Sequence, residues 1–229
     1  MQTIGVLGGL GPQATMDFEA RVHAVSQRLI LQHANGGYPP MVVYYYRQGP
    51  FLLNEDGSPV LPLQPDPRLL DAARRLGALA DFLVIAANGP HVIRDAIERA
   101  AGRPVLSMID VTLDEVRRRG LRTLGVLGLG EPGVYLAPLG HLGLACETID
   151  GDLRDRLDQA IAGLMEGRTG PEPSAAAHEA VDTLRGRGVD GVILGCTEIP
   201  LLLGEAAGAP DLLNPAEFLA EATVRHAIA

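Results

Sequence analysis

The segment Thr3-Ile4-Gly5-Val6-Leu7-Gly8 recurs almost unchanged as Thr123-Leu124-Gly125-Val126-Leu127-Gly128, and this repeat decides the fold. Each copy is a short, continuously apolar run, which is typical of a strand buried on both faces of a parallel sheet. A second pair of segments repeats in the same order, because residues 81–88 align with residues 190–197. We interpret the two matches as two similar α/β halves, with chance similarity between buried strands as the alternative.

Predicted strands and helices alternate along the rest of the chain. The apolar runs predict strands at 3–7, 41–45, 82–86, 123–127 and 191–194. Helical patterns lie at 14–31, 68–79, 92–101, 110–119, 153–166 and 174–187. This alternation is typical of βαβ units, so the predicted fold class is α/β. The first half is about eleven residues longer than the second, and we assign the surplus to the Pro- and Gly-rich loop 47–67, a candidate cleft flap.

Composition excludes several classes of protein. The 229 residues carry a formal net charge of −9, which argues against nucleic acid or an anionic membrane as partner, although a pocket can still be locally positive toward a small acid. Aromatic residues make up 4% of the chain and there is no Trp, so a platform for stacked bases is not expected. No run of about 20 apolar residues and no basic secretion signal is present. Two cysteines give no disulfide framework. We expect a cytoplasmic protein.

The first candidate for chemistry is Gly195-Cys196-Thr197-Glu198-Ile199-Pro200, directly after a predicted strand. A cysteine at a strand end can meet backbone N–H groups that favour its thiolate, and Glu198 is placed to orient a partner or hold a cation. The alternative is a small buried hydrophobic residue, which is the better interpretation of Cys146 in its apolar context.

Two further loops follow predicted strands. In Gly8-Gly9-Leu10-Gly11-Pro12, glycines allow close backbone approach and the next helix offers free N–H groups, which favours a carboxylate over a nucleotide; Thr15 either lines this site or sits in the helix's first turn. In Ala87-Asn88-Gly89-Pro90-His91, Asn88 is a helix cap or a ligand contact, and His91 is a solvated first-turn residue or an acid/base. The six histidines are scattered, so no zinc site is predicted.

Together these motifs resemble the cofactor-independent aspartate/glutamate racemase family. Residues 4–15 are similar to its opening motif, and residues 193–202 are a close match to its second catalytic motif. Residues 84–91 occupy the place of the first catalytic motif, in which Cys-Asn-Thr is followed two residues on by His. The resemblance covers essentially the whole chain in order and spacing.

The resemblance implies two pseudo-symmetric three-layer α/β domains with mainly parallel four-stranded sheets and an active site between them. We place the N-terminal domain at residues 1–106 plus 208–229 and the second domain at 107–207. In the family, a cysteine from each domain flanks the substrate's α-carbon, one removing the proton and the other delivering one, without pyridoxal phosphate or metal. The implied partners are a small carboxylic or amino acid and a second copy of the chain in a homodimer.

The resemblance also assigns site residues by position. Cys196 is implied as a catalytic acid/base, and Asn88, Thr197 and the backbone at Gly9, Leu10 and Gly11 as carboxylate ligands. Further implied contacts of the substrate come from Arg47, Gly89, Tyr135, Arg168 and Glu198. The two arginines align loosely and are equally interpretable as surface charges.

The chain departs from the family's pattern on the first side. Ala87 stands where the first cysteine belongs, and Gly89 replaces the following threonine. We expect an isomerase that uses Cys196 on one face and His91 or a water molecule on the other. One alternative is a one-cysteine decarboxylase of malonate-type acids, since the departing carbon dioxide replaces the first deprotonation. The other alternative is a catalytically inactive carboxylate-binding homologue.

Overall fold

Two parallel sheets flanked by helices form the framework. The computed structural model describes residues 1–34 and 36–229. The strands are β1 (Ile4–Gly8), β2 (Met41–Tyr45), β3 (Phe82–Ile85), β4 (Val105–Leu106), β5 (Thr123–Leu127), β6 (Ala145–Glu147), β7 (Gly191–Leu194) and β8 (Leu212–Leu213). The helices are α1 (Pro12–Leu29), α2 (Pro67–Gly77), α3 (Arg94–Ala101), α4 (Met108–Arg119), α5 (Gly133–His141), α6 (Gly151–Met165), α7 (Pro171–Gly186), α8 (Ile199–Leu203) and α9 (Pro215–Ile228). Short 3₁₀ turns lie at Gly89–Ile93 and Gly204–Gly208.

The two sheets share one topology. The first has the order β2-β1-β3-β4 and the second has the order β6-β5-β7-β8, and each pair of neighbouring strands is parallel. The repeated sequence segments become the two central strands of each sheet, β1 with β3 and β5 with β7. The predicted α/β fold with two four-stranded parallel sheets is therefore confirmed.

The repeated glycines in the central strands have a packing reason. A Cβ added at Gly5 would lie 2.8 Å from the Cβ of Ala80, just after α2. A Cβ added at Gly125 would lie 2.9 Å from Leu184 Cδ1 on α7. Each glycine thus lets the covering helical layer approach its sheet closely, and both sheets are covered in the same way.

The chain divides into two compact units, residues 1–108 with 216–229 and residues 109–215. The sequence placed the return to the first domain at residue 208, before β8. That boundary is corrected, because Val192 of β7 pairs with Leu212 of β8 and so keeps residues 208–215 in the second unit. The final helix, α9, belongs to the first unit, where the backbone N–H of Gln2 donates to the carbonyl of Ala227 at 2.8 Å.

Several elements have no counterpart among the predicted ones. β4 and β8 contain two residues each and β6 contains three, too few for a periodic signal. Loop 47–67 contains two isolated antiparallel bridges, Phe51 with Pro65 and Leu53 with Pro59, and its role as a flap stays a prediction. Across the described part of the chain, no helix combines the length and apolar character that a membrane span needs.

Candidate active site

Cys196 lies at the end of a central strand of the second unit. The N–H of Gly195 donates to the carbonyl of Leu127 at 2.7 Å, and a Cβ at Gly195 would lie only 2.5 Å from that oxygen. The Tyr135 ring would be 3.1 Å from the same Cβ. Glycine is therefore the residue that fits at position 195, directly after the end of β7 and before Cys196. Cys196 as a whole residue is half-buried, and it packs against the apolar core of the second unit.

A carboxylate contacts this thiol. The Sγ of Cys196 donates to Glu198 Oε2 at 3.0 Å, and the hydroxyl of Thr197 donates to the same oxygen at 3.2 Å. Glu198 is only 3% exposed and Thr197 is 7% exposed. We call Cys196 and Glu198 the Cys–Glu pair. Glu198 Oε2 therefore accepts hydrogen bonds from both the Cys196 thiol and the Thr197 hydroxyl.

The surroundings of Cys196 favour the protonated thiol. Burial raises the pKa of Cys196 well above its ordinary value, and the Glu198 carboxylate and Asp158 of α6 raise this pKa further. The backbone N–H of Glu198 acts in the opposite direction, lowering the pKa, but it is outweighed. The sequence-based expectation that backbone N–H groups would favour the thiolate is therefore corrected: at neutral pH the side chain is a proton donor.

Asp158 is a member of the site that sequence reasoning missed. Its Oδ1 accepts a hydrogen bond from the Gly130 N–H at 2.9 Å, which ties α6 to the loop after β5. Gly130 has φ +62°, a conformation that suits glycine. The two residues are 28 positions apart, so no local motif connects them.

The glycine loop after β1 is held by Thr15. The Gly9 N–H donates to Thr15 Oγ1 at 2.8 Å, and that hydroxyl donates to the Gly11 carbonyl at 2.9 Å. Gly9 has φ +77°, and a Cβ there would lie 2.7 Å from the Cα of Tyr45. Thr15 is thus a first-turn residue that shapes the loop. The Gly9 N–H that the sequence assigned to a carboxylate is occupied by Thr15.

Gln13 is another residue that carried no predicted role. It lies in the first turn of α1, beside Gly11 and the half-buried Leu10. Its Oε1 is buried and has no hydrogen-bond partner in residues 1–34 and 36–229.

The turn after β3 is organised by His91. Its Nε2 accepts the Met108 N–H at 3.0 Å, so Nδ1 carries the proton and faces the carbonyl of Ala87 at 3.0 Å and that of Asn88 at 3.1 Å. His91 is buried, which corrects the interpretation of a solvated residue. Its predicted catalytic role stays a prediction, and the geometry favours a neutral ring that positions the turn. Asn88 is 3% exposed and makes no side-chain cap of that turn.

Ala87 is half-buried at the end of β3, at the place in the first sheet that Cys196 has in the second. Gly89 is exposed, and a Cβ there would meet no atom within 4 Å. At Gly89 the structure therefore has open space in which a side chain could stand, whereas Ala87 packs against the core of the first unit.

The other predicted contacts lie in different environments. Arg47 is exposed, with its guanidinium carbon 4.6 Å from the centroid of the Tyr45 ring, and it lines an open cavity of about 510 Å³. Tyr135 is fully buried, and this burial raises the pKa of its hydroxyl. A hydrogen bond with Thr112 offsets part of that rise in pKa. Arg168 is exposed and forms an ion pair with Glu166. In this structure Tyr135 supports the strand end and Arg168 is a surface charge.

Metal chemistry has no evident site in the described chain. Among residues 1–34 and 36–229, no group of three or more His, Cys, Asp or Glu side chains is placed to hold a metal ion. In the Cys–Glu pair a single hydrogen bond joins the thiol to the carboxylate.

Comparison with known proteins agrees with this geometry. A family model described as Asp/Glu/Hydantoin racemase matches residues 7–223. The broad specificity amino-acid racemase RacX of Bacillus subtilis (strain 168) is 25% identical over 227 residues, which is 96% of this chain and 96% of that protein. An aspartate racemase homologue from Pyrococcus horikoshii OT3 superposes with a TM-score of 0.76 at 24% identity, covering 100% of both chains. Picrophilus torridus aspartate racemase superposes with a TM-score of 0.77 at 19% identity, and the match covers 99% of this chain and 94% of that chain.

Proposed function

The chain belongs to the Asp/Glu/hydantoin racemase family, and from this premise we propose that it is an isomerase acting at the α-carbon of a small acidic amino acid. The single observation that carries the proposal is the Cys196 thiol at the end of a central strand, 3.0 Å from the buried Glu198 carboxylate. Inversion needs removal of the α-proton from one face and delivery of a proton to the other, so each face needs a group that can take up or release a proton. A thiol bonded to a carboxylate supplies such a group for one face without a cofactor.

The Cys–Glu pair works as a unit that holds one exchangeable proton. When Glu198 takes the thiol proton, Cys196 becomes a thiolate beside a neutral acid, and this thiolate removes the α-proton of the substrate. In the return step the S–H bond breaks and a C–H bond forms on the same face. The raised pKa of Cys196 supports this role. The α-proton is a very weak acid, so a thiol with a higher pKa lies closer in pKa to the C–H group that it must deprotonate.

The opposite face is proposed to exchange protons with water. The methyl group of Ala87 carries no transferable proton, and the space at Gly89 is open to a small molecule. His91 then acts as a positioning residue, since its two ring nitrogens are bonded to backbone atoms on either side of the turn.

Exchange of the α-proton tests the proposal directly. The protein is incubated in deuterated water with L- and D-aspartate, L- and D-glutamate and other amino acids, and deuterium at the α-carbon is followed by NMR. We expect exchange with an acidic amino acid for the natural chain and for Cys146→Ser, which removes the other thiol. Cys196→Ser should lose nearly all of it. Absence of exchange for every amino acid, or full exchange by Cys196→Ser, would reject the proposal.

One observation favours a second candidate function, the decarboxylation of malonate-type acids. Cys196 is a protonated donor with no counterpart at Ala87, and decarboxylation needs one donor only. The carbon dioxide leaves with its bond electrons remaining on the α-carbon, which then takes the thiol proton. Carbon dioxide release from substituted malonates by the natural chain but not by Cys196→Ser would select this function. Release that is independent of Cys196 would discard it.

A further inference from the structure

Arg154 is a half-buried cation of the second unit that has no counterion in the chain. It lies in the first turn of α6, where its Nη2 donates to the carbonyl of Ile149 and, at 3.4 Å, to Thr148 Oγ1. Within residues 1–34 and 36–229 its buried Nε donates to no group, and no carboxylate lies within ion-pair distance of its guanidinium. The loop after β6 therefore holds this guanidinium on one side and leaves its charge and several of its five N–H groups unused.

The neighbouring arginines differ from Arg154 because acids neutralise them. Arg156, two residues further along α6, forms ion pairs with Asp152 and Glu179, both at 2.8 Å. The guanidinium of Arg187 also reaches the loop after β6, and it pairs with Glu147 at 3.4 Å. A half-buried charge without a counterion costs free energy, and a bound carboxylate would remove that cost at Arg154.

Arg154 lies at the edge of the second sheet that also holds Cys196. Arg154 and Asp158 are four residues apart on α6 and so share one face of the helix. Asp158 accepts the Gly130 N–H in the loop after β5, and after burial and Glu198 it is a further cause of the raised pKa of Cys196. The strands β6, β5 and β7 are successive neighbours in the sheet. Arg154, Asp158 and Cys196 therefore follow one another along the carboxyl ends of these three strands.

We propose that Arg154 binds the side-chain carboxylate of the substrate and thereby selects dicarboxylic amino acids. The inference rests on the proposed function, in which Cys196 acts at the α-carbon. Two strand spacings separate β7 from β6, which is about 10 Å. Three segments span this distance: about 3.5 Å from the sulfur to the α-carbon, two or three side-chain bonds of about 1.5 Å, and a charge-assisted hydrogen bond of about 2.8 Å. Asparagine and glutamine have the same reach but no charge, so they are the matched comparison.

Exchange of the α-proton in deuterated water, measured with glutamate, aspartate and their amides, tests the selection. The natural chain should prefer the acids, and Arg154→Gln should lower kcat/KM for the acids by about thirtyfold, mainly by raising KM, so that the preference disappears. Arg154→Lys keeps the charge and should recover part of the loss. The matched control is Arg156→Gln, which should leave the preference unchanged because that guanidinium is already paired. A natural chain without the preference, or a preference that survives in Arg154→Gln, overturns the inference.

Binding of glutarate, a dicarboxylate without an amino group, separates a failure of this inference from a failure of the proposed function, because it needs no turnover. By isothermal titration calorimetry the natural chain and Arg156→Gln should bind glutarate equally, Arg154→Gln about thirtyfold more weakly, and Arg154→Lys in between. If no amino acid exchanges its α-proton but glutarate binding depends on Arg154, the proposed function is wrong and the carboxylate site stands. Absence of glutarate binding by the natural chain, or equal binding by Arg154→Gln, overturns the carboxylate site.

Discussion

Replacing Glu198 by Gln should make Cys196 more reactive. The glutamine keeps the size of the side chain and removes a buried negative charge whose oxygen lies 3.0 Å from the sulfur. At an effective dielectric constant of about 20, two unit charges at that separation repel each other by about 5.5 kcal/mol. If side-chain relaxation and water leave only a quarter of that, about 1.4 kcal/mol remains, which is about tenfold in the thiolate population.

The direction follows from the charge of the thiolate. A neighbouring carboxylate disfavours the charged form of a cysteine and so raises its pKa, in addition to the larger effect of burial. Loss of that carboxylate lowers the pKa of Cys196. At any pH below that pKa the variant therefore holds more thiolate, and its alkylation should be about tenfold faster with a pH profile displaced to lower pH.

Alkylation by iodoacetamide, followed for the Cys196 peptide by mass spectrometry, measures this change. The half-buried Cys146 provides an internal reference in the same sample. Glu205→Gln is the matched control, because it removes the same charge from an exposed position and should leave the rate unchanged. An unchanged or slower rate for Glu198→Gln, in a variant that keeps its thermal unfolding temperature, would refute the electrostatic account of the Cys–Glu pair.

Four substitutions test the scaffold by urea unfolding. Gly9→Ala should lower the free energy of unfolding by about 3 kcal/mol, because the alanine would be strained in the left-handed region and its Cβ would overlap the backbone of Tyr45. Gly57→Ala should lower it by only about 1 kcal/mol, because position 57 has φ +82° but open space around it. Hydrogen-bonded ion pairs with Arg118 and Arg119 lower the pKa of Glu115 to about 2. Glu115→Gln should therefore lower the free energy of unfolding by about 1 kcal/mol at neutral pH, and this difference should disappear as the pH falls from 4.5, the ordinary pKa of the group, toward 2. Asp190 accepts hydrogen bonds at 2.8 Å from the N–H groups of Thr123 and Arg122, and these bonds lower its pKa. Asp190→Asn should therefore destabilise the protein at pH values above 3.8, the ordinary pKa of the group, and should have no effect in stronger acid. Equal effects at positions 9 and 57, or pH-independent differences for either acid, would contradict this reasoning.

The sequence was sufficient for the central strands of each sheet and for the five-residue edge strand β2, but not for the short edge strands β4, β6 and β8. β1, β3, β5 and β7 are buried on both faces and therefore appear as continuous apolar runs, which are recognisable without any partner. The edge strands β4 and β8 have two residues each and exist only because a central strand offers hydrogen bonds. The boundary at residue 208 was misplaced for this reason.

The same division between local and distant interactions holds for the candidate site. Glu198 was placed beside Cys196 because the two are two residues apart in one motif. The influence of Asp158 on Cys196 and the bond from the Met108 N–H to His91 join distant positions of the chain, and no spacing rule reveals them. The full burial of Tyr135 was equally hidden, because it depends on the packing of its ring against Gly195.

The proposed proton transfer by the Cys–Glu pair predicts a working enzyme and not a homologue that only binds. Keeping a carboxylate that is 3% exposed beside a thiol costs free energy, and an apolar side chain at 198 would be more stable in a protein without proton transfer. Glu198 and Asp158 lie in the second unit with Cys196, whereas Ala87 belongs to the first unit. One sulfur serves one face of the α-carbon, so the enantiomer whose α-proton meets Cys196 should exchange that proton with retention faster than it inverts. Its mirror image, deprotonated from the water side and reprotonated by Cys196, should invert each time it exchanges. Deuterium content and chirality followed together for both enantiomers would separate these courses, and identical ratios of exchange to inversion would contradict the one-sulfur mechanism.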